Sequence, residues 1–187
     1  MTLNNEQTTF EDKFRLLVGQ AIIKVEYLEI DYQPENPKPF YPTKFDNLHS
    51  VDFSILLHTD NDKTIEIYWD GQFFQYGIGL KINEKSDFTG HKIWNVTDNK
   101  LWTSFLGIKI VETKLTWKTF TTTEQYSRKT ESWTYPQDIT LTFSNDKKIF
   151  ISASGFLDEK DNEVSGMLDN LTVTDNEELA RKVKMIN

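Results

Sequence analysis

A chain of 187 residues with 13 Phe, 7 Tyr and 5 Trp can bury its own core, and its palette suits pleated, half-buried sheets. A formal net charge of −8 argues against nucleic acid and anionic membranes, both held largely by a basic face. The lack of cysteine excludes a disulfide framework, a thiolate metal site and a cysteine nucleophile.

No apolar run approaches the ~18 residues that span a bilayer, and MTLNNEQTTFEDKF lacks the basic-then-apolar order of a leader. The expected setting is the cytoplasm. The first predicted element is a helix over residues 10–18, capped by Thr9 with Asp12 as its capping-box partner. It places Phe10, Phe14, Leu17 and Val18 on one face, and Gly19 ends it in a left-handed conformation. AIIKVEYLEIDY is a strand whose apolar face changes from Ile23, Val25 and Tyr27 to Leu28, Ile30 and Tyr32, which predicts a bulge at Tyr27–Leu28. Four of the five prolines then fall in QPENPKPFYPTKFDNLHS, a loop.

VDFSILLHT and KTIEIYW form the clearest hairpin, with Val51, Phe53, Ile55 and Leu57 inward on one strand and Ile65, Ile67 and Trp69 inward on the other. FFQYGIGLKI presents Phe74, Tyr76, Ile78, Leu80 and Ile82 on one face, while Gly77 and Gly79 leave room for close approach on the opposite face. NEKSDFTGHKIWNVTDNK reads as a connection. Asp98 caps a short helix to Phe105, ended by Gly107. IKIVETKLTWKTF pairs across TTT with EQYSRKTESWTY, Pro136 breaks that run, and DITLTF pairs with KKIFISAS. SGMLDNLTVT is the last strand, and Asp175 opens a C-terminal helix.

The order of elements repeats. Gly19 and Gly107 stand 88 positions apart, Asp52-Phe53-x-Ile55-x-Leu57 matches Asp138-Ile139-x-Leu141-x-Phe143 at 86, and Ile65-x-Ile67 matches Ile149-x-Ile151 at 84. The predicted fold is α+β, mostly antiparallel β. Residues 1–187 form a single globular domain of two pseudo-symmetric helix-plus-β lobes from an internal duplication, closed by a C-terminal helix. Lobe one covers about residues 8–82, the connection about 83–97 and lobe two about 98–187. The segments FLGIKI, YPQDITLTF, KKIFISAS and LDNLTV, within residues 102–184, resemble a pattern of small uncharacterised bacterial proteins. The resemblance carries no activity, although size and acidity are similar in style to immunity proteins of bacterial toxin systems.

His49, His58 and His91 form no HxH, HxxxH or HExxH motif, and there is no phosphate loop, dinucleotide fingerprint or nucleophile elbow. Ser152 and Ser154 lie in a strand. Glu66 and Asp70, four residues apart on a strand, are separated by about 13 Å, beyond the spacing of a glycosidase pair. The acidic loop DEKDNE lacks the order and glycine of an EF-hand. No cofactor or metal is expected. The aromatic residues Trp69, Tyr76, Trp117, Phe120, Tyr126, Trp133 and Tyr135 are the candidate binding residues. They suit a non-enzymatic protein-binding module with a basic protein partner, such as an immunity-type inhibitor of a bacterial toxin. The alternatives are a small-ligand-binding protein with a pocket between the lobes, around Trp69, Tyr76 and Trp133, and a hydrolase using carboxylates such as Glu66 and Asp138.

Overall fold

A computed structural model describes residues 4–84, 88–123, 129–156, 158 and 160–186. The first helix, α1 (Asn5–Arg15), starts earlier than the sequence suggests. Asn4 accepts from the Gln7 amide while the Gln7 side chain accepts from the Asn4 amide, both at 2.9 Å, a reciprocal cap. The Thr9 hydroxyl instead bonds back to the Asn5 carbonyl. Because the helix stops at Arg15, Phe10, Phe14 and Leu17 are buried but Val18 is exposed. Gly19 has the expected left-handed conformation, with φ +87°.

The strands are β1 (Ile22–Ile30), β2 (Leu48–Val51), β3 (Phe53–Thr59), β4 (Thr64–Asp70), β5 (Gly77–Ile82), β6 (His91–Asn95), β7 (Ile110–Thr123), β8 (Thr130–Phe143), β9 (Lys148–Gly155) and β10 (Ser165–Thr174). The remaining helices are α2 (Lys100–Thr103) and α3 (Glu177–Lys182). Asn99 and Asn176 cap these two helices, one position beyond Asp98 and Asp175. Among the described residues, two antiparallel sheets form, in the order β5-β4-β3-β1-β6 and β2-β10-β9-β8-β7. The α+β, mostly antiparallel class is as predicted.

Each sheet holds a four-strand meander plus one added edge. β6 adds to β1, so part of the predicted connection is a strand. β2 lies at the end of the proline-rich loop and pairs with β10, Val51 opposite Leu171. The chain then turns at Asp52 and enters the other sheet at Phe53, opposite Glu29. Phe53 carries a φ of 151°, a region L-residues rarely occupy, at a cost of roughly 1–3 kcal/mol. Pairing on both sides of the corner holds it there. Phe53 is consequently half-buried rather than inward like its strand neighbours.

Pro136 does not break β8. It sits where the register shifts between Thr116↔Asp138 and Trp117↔Pro136, leaving Gln137 as the extra residue, and a bulge is one of the places a sheet tolerates proline. The Gln137 amide group donates to the Ala153 carbonyl, occupying an acceptor on β9 just beyond the last β8–β9 pair, Asp138↔Ser152.

The repeat is visible in the backbone. The Gly19 N–H donates to the Ile110 carbonyl and the Gly107 N–H to the Ile22 carbonyl, each at 2.8 Å. All four residues obey the same 88-residue spacing, so the two bonds are related by a pseudo-twofold. Ala21 bridges Lys109 on the same axis. The hairpins correspond at a spacing of 84: Thr59 N–H to Lys63 O matches Phe143 N–H to Lys147 O. Ile55 therefore corresponds to Ile139, not Leu141. The 86-residue alignment is slipped by two, which preserves the inward face because side chains alternate with period two.

The inner faces of both sheets meet in one core that includes Val25, Tyr27, Ile55, Leu57, Ile67 and Leu80 from one sheet and Ile139, Leu141, Phe143, Ile151 and Val173 from the other. Each such side chain contributes about 1.5–3 kcal/mol on burial, so neither lobe is complete without the other. α3 covers the outer face of the second sheet through Leu179, Ala180 and Val183 against Leu48 and Phe150.

Candidate functional site

The pseudo-twofold junction carries a pair of bulges. Ile22↔Thr59 is followed by Lys24↔His58, leaving Ile23 extra. Ile110↔Phe143 is followed by Glu112↔Thr142, leaving Val111 extra. The bulge in β1 thus lies at Ile23, not at Tyr27–Leu28. A bulge turns its extra residue out of the pleat, and Ile23 and Val111 are 51% and 49% exposed. Leu16 and Val18, on the turn that leads from α1 to Gly19, are also exposed. Gly19 is bonded to Ile110 and Ile22 to Gly107, so the backbone carries these four positions to the neighbourhood of one junction. They are four of the seven large hydrophobic residues exposed among the described residues. Such clustering, unlike isolated exposed apolar residues, marks an interaction surface.

The predicted aromatic residues fall into separate groups. β8 pairs with β9 only over Asp138–Thr142, so the ends of β7 and β8 project as a two-stranded arm. Trp133 and Phe120, opposite one another in register, stack on Phe74 at 4.9 and 5.4 Å. Trp117 faces the other side of β7, against Phe10 and Phe73, and donates its indole N–H to Glu11 at 2.9 Å. Tyr135 is buried, its hydroxyl donating to Gln137 at 2.6 Å. Trp69 and Tyr76 pair with each other at 5.3 Å, and Trp69 reaches Phe53 rather than Trp133. Tyr126 lies outside the described residues. Phe120 and Trp133 are half-buried, so the arm offers ring edges more than open faces.

The carboxylates singled out above do not converge. Glu66 belongs to β4, 3.5 Å from Lys81, and Asp138 belongs to β8 in the other sheet. Asp138 accepts from the Ser152 hydroxyl at 2.6 Å, and the Lys118 ammonium lies 3.6 Å away. Burial pushes its carboxyl up to about 6, against the pull of Lys118 and Ser152. Ser152 in turn accepts from Gln137, so these groups form one buried chain beneath the bulge. Ser152 is 1% exposed, which closes it to substrate.

Two further titratable groups are buried near the corner. Glu29 is 1% exposed, and its carboxylate accepts from the Phe40 amide at 2.9 Å. Burial pushes it up to about 7, with Asp52 adding repulsion while the Phe40 and Asp52 amides oppose the rise. His49 is held down at about 4 by burial. The Trp102 indole donates to the Tyr27 oxygen at 2.7 Å, and that hydroxyl faces His49 Nδ1 at 3.0 Å. With its one proton, Tyr27 donates onward to a neutral imidazole. His58 is tied to Glu26 at 2.8 Å and to the Thr64 hydroxyl at 3.2 Å.

Two open grooves of about 630 and 640 Å³ flank the second sheet. Tyr32, Phe40, Asp52, Phe156 and Asp169 help to line the first, and Lys114, Trp117, Asp138, Thr140 and Arg181 the second. Among the described residues, no group of three or more metal-ligating side chains is placed to hold an ion, and no helix is long and apolar enough to cross a membrane.

The exposed junction escapes a reading of the sequence because helical periodicity puts Val18 on the buried side of a longer helix, and alternation puts Ile23 on the inward face of a regular strand. The repeat holds the missing signal: Ile23 and Val111 obey the same 88-residue spacing as the two glycines. No protein-family model, curated protein or solved structure matches the chain.

Proposed function

We propose that the protein is a protein-binding module that engages its partner through the apolar junction of Leu16, Val18, Ile23 and Val111. The observation that carries this reading is the exposure of all four around one pseudo-twofold axis. A bulged position needs no apolar side chain for the fold, and Thr would serve a strand as well, so a water-facing Ile and Val are accounted for by a partner that covers them. The net charge of −8 favours a basic partner by steering its approach. The catalytic domain of a basic bacterial toxin is one partner of that chemistry, which would make the protein an immunity-type inhibitor.

The test is affinity capture from lysate of the natural host, comparing the wild type with an Ile23→Thr/Val111→Thr variant. Mass spectrometry should identify one stoichiometric basic protein with the wild type. Reconstituted from purified components, its affinity should fall at least tenfold in the variant while the thermal midpoint of the variant holds. Recovery of the protein alone, or equal binding by the variant, would refute the proposal.

A further inference from the structure

The second sheet ends at β7, a strand running from Ile110 to Thr123 with no strand on its far side among the described residues. The Ile110 backbone is already taken, its carbonyl by the Gly19 N–H and its N–H by the Gln20 carbonyl, so the open edge begins at Val111. Past the Val111 bulge β7 is regular, because the shift near Trp117 is taken up by Gln137 on β8. An open edge of this length offers a row of backbone donors and acceptors and is a template for another strand. Its side chains determine which strand fits.

Past the bulge, Glu112, Lys114, Thr116, Lys118 and Phe120 share one face of β7, and Thr113, Leu115, Trp117 and Thr119 share the other. If a second copy adds its own β7 antiparallel about a twofold normal to the sheet, residues of the same face meet. A twofold at Lys114 sets that lysine against itself, and one at Thr116 sets Lys114 against Lys118; like charges directly opposite are destabilising. A twofold at Thr113 pairs Glu112 with Lys114 but overlaps only Val111 to Leu115. A twofold at Trp117 brings no charges together. A twofold at Leu115 overlaps Val111 to Thr119 and pairs Glu112 with Lys118 of the second copy twice. It also sets Lys114 against Thr116, Thr113 against Trp117 and Leu115 against itself. The lysines that would block adventitious pairing thus admit this register.

We infer that two copies of this chain associate through β7 in an antiparallel pairing with Leu115 on the twofold, giving one continuous ten-stranded sheet. Lys118 then lies between Asp138 of its own chain, 3.6 Å away, and Glu112 of the second copy. The junction proposed above for a different partner adjoins this edge at Val111 but uses the turn after α1 and the start of β1 as well, so the inference goes beyond that reading.

The test exploits the natural lack of cysteine. Light scattering coupled to gel filtration should give the mass of a dimer for the wild type. Glu112→Lys places lysine against Lys118 and should raise the dissociation constant at least tenfold with an unchanged circular dichroism spectrum. Leu115→Cys should cross-link under mild oxidation, since directly opposed Cα atoms lie about 4.5–5.5 Å apart, within disulfide reach. Thr121→Cys should not, its copies being roughly 40 Å apart along the paired strands. A monomer at 100 µM would overturn the inference. So would a dimer indifferent to Glu112→Lys, or cross-linking of the Thr121→Cys variant as efficient as that of Leu115→Cys.

Discussion

Replacing Glu29 with glutamine should change how stability depends on pH. In the folded protein the Glu29 carboxyl sits at about 7, against an ordinary value of 4.5. A folded-state value above the unfolded one means that the folded protein takes up the proton first. The associated stability is complete below pH 4.5 and is lost as pH rises through 7. The difference corresponds to about 3 kcal/mol, at ~1.36 kcal/mol per pH unit. The substituted glutamine retains an oxygen to accept from the Phe40 amide and cannot ionise. Its N–H₂ group needs a partner in a site built for a carboxylate, which costs about 1–3 kcal/mol if unmet. That cost is independent of pH, whereas the relief of ionisation is not. Urea unfolding followed by tryptophan fluorescence at pH 5, 6, 7 and 8 therefore gives a mutant-minus-wild-type difference that moves in favour of Glu29→Gln by about 2–3 kcal/mol between pH 5 and 8. Subtraction removes the other titrating groups. A difference flat with pH, or one moving the opposite way, would refute the burial argument.

Tyr27→Phe leaves both the Trp102 indole and His49 Nδ1 without their shared hydroxyl, and should cost about 2–6 kcal/mol in urea unfolding at pH 7, at ~1–3 kcal/mol per orphaned group. In the wild type, His49 titrates at about 4, below its ordinary value. The stability it confers is complete above pH 6.5 and falls as pH drops toward 4, and its imidazole resonances in NMR should stay unprotonated at pH 5.5. Gly79→Ala would place a Cβ 2.6 Å from that of Asp70 and 2.8 Å from the Tyr68 ring. Overpacking of this kind costs about 1–3 kcal/mol, and calorimetry should show a thermal midpoint lowered by several degrees.

Local pattern is a good guide where a strand is regular and half-buried. The alternation in Val51–Leu57 and Ile65–Ile67 marks true strands, with Ile55, Leu57, Ile65 and Ile67 inward as expected, and the two glycines that follow the helices locate the repeat. Sequence reading fails where one side chain changes the geometry. Pro136 looks like a terminator until Gln137 is seen bonding to Ala153. His91–Asn95 looks like connection because strand β6 is short and, among the described residues, held on one side, by β1. The crossing at Asp52 is invisible locally, since LHSVDFSILLHT alternates through the corner without a break. As for the site, the aromatic residues stand out by type, but their grouping depends on which side of the β7–β8 arm each one faces. The apolar junction depends on bulges, which composition does not reveal.

The corner at Asp52 also bears on how the chain acquires its structure during synthesis. Val51 must wait for Leu171, its pairing partner, which is made 120 positions later, roughly 6–24 s at ordinary ribosomal speeds. For that interval the first half can assemble β1, β3, β4 and β5 by near-neighbour pairing, while Leu48–Val51 stays an unclaimed strand beside a finished meander. The proline-rich approach, with Pro42 bridged to His49, covers part of the edge opposite the one that β10 takes. A nascent chain of this design therefore keeps one edge of the segment covered while the other stays open for its late partner.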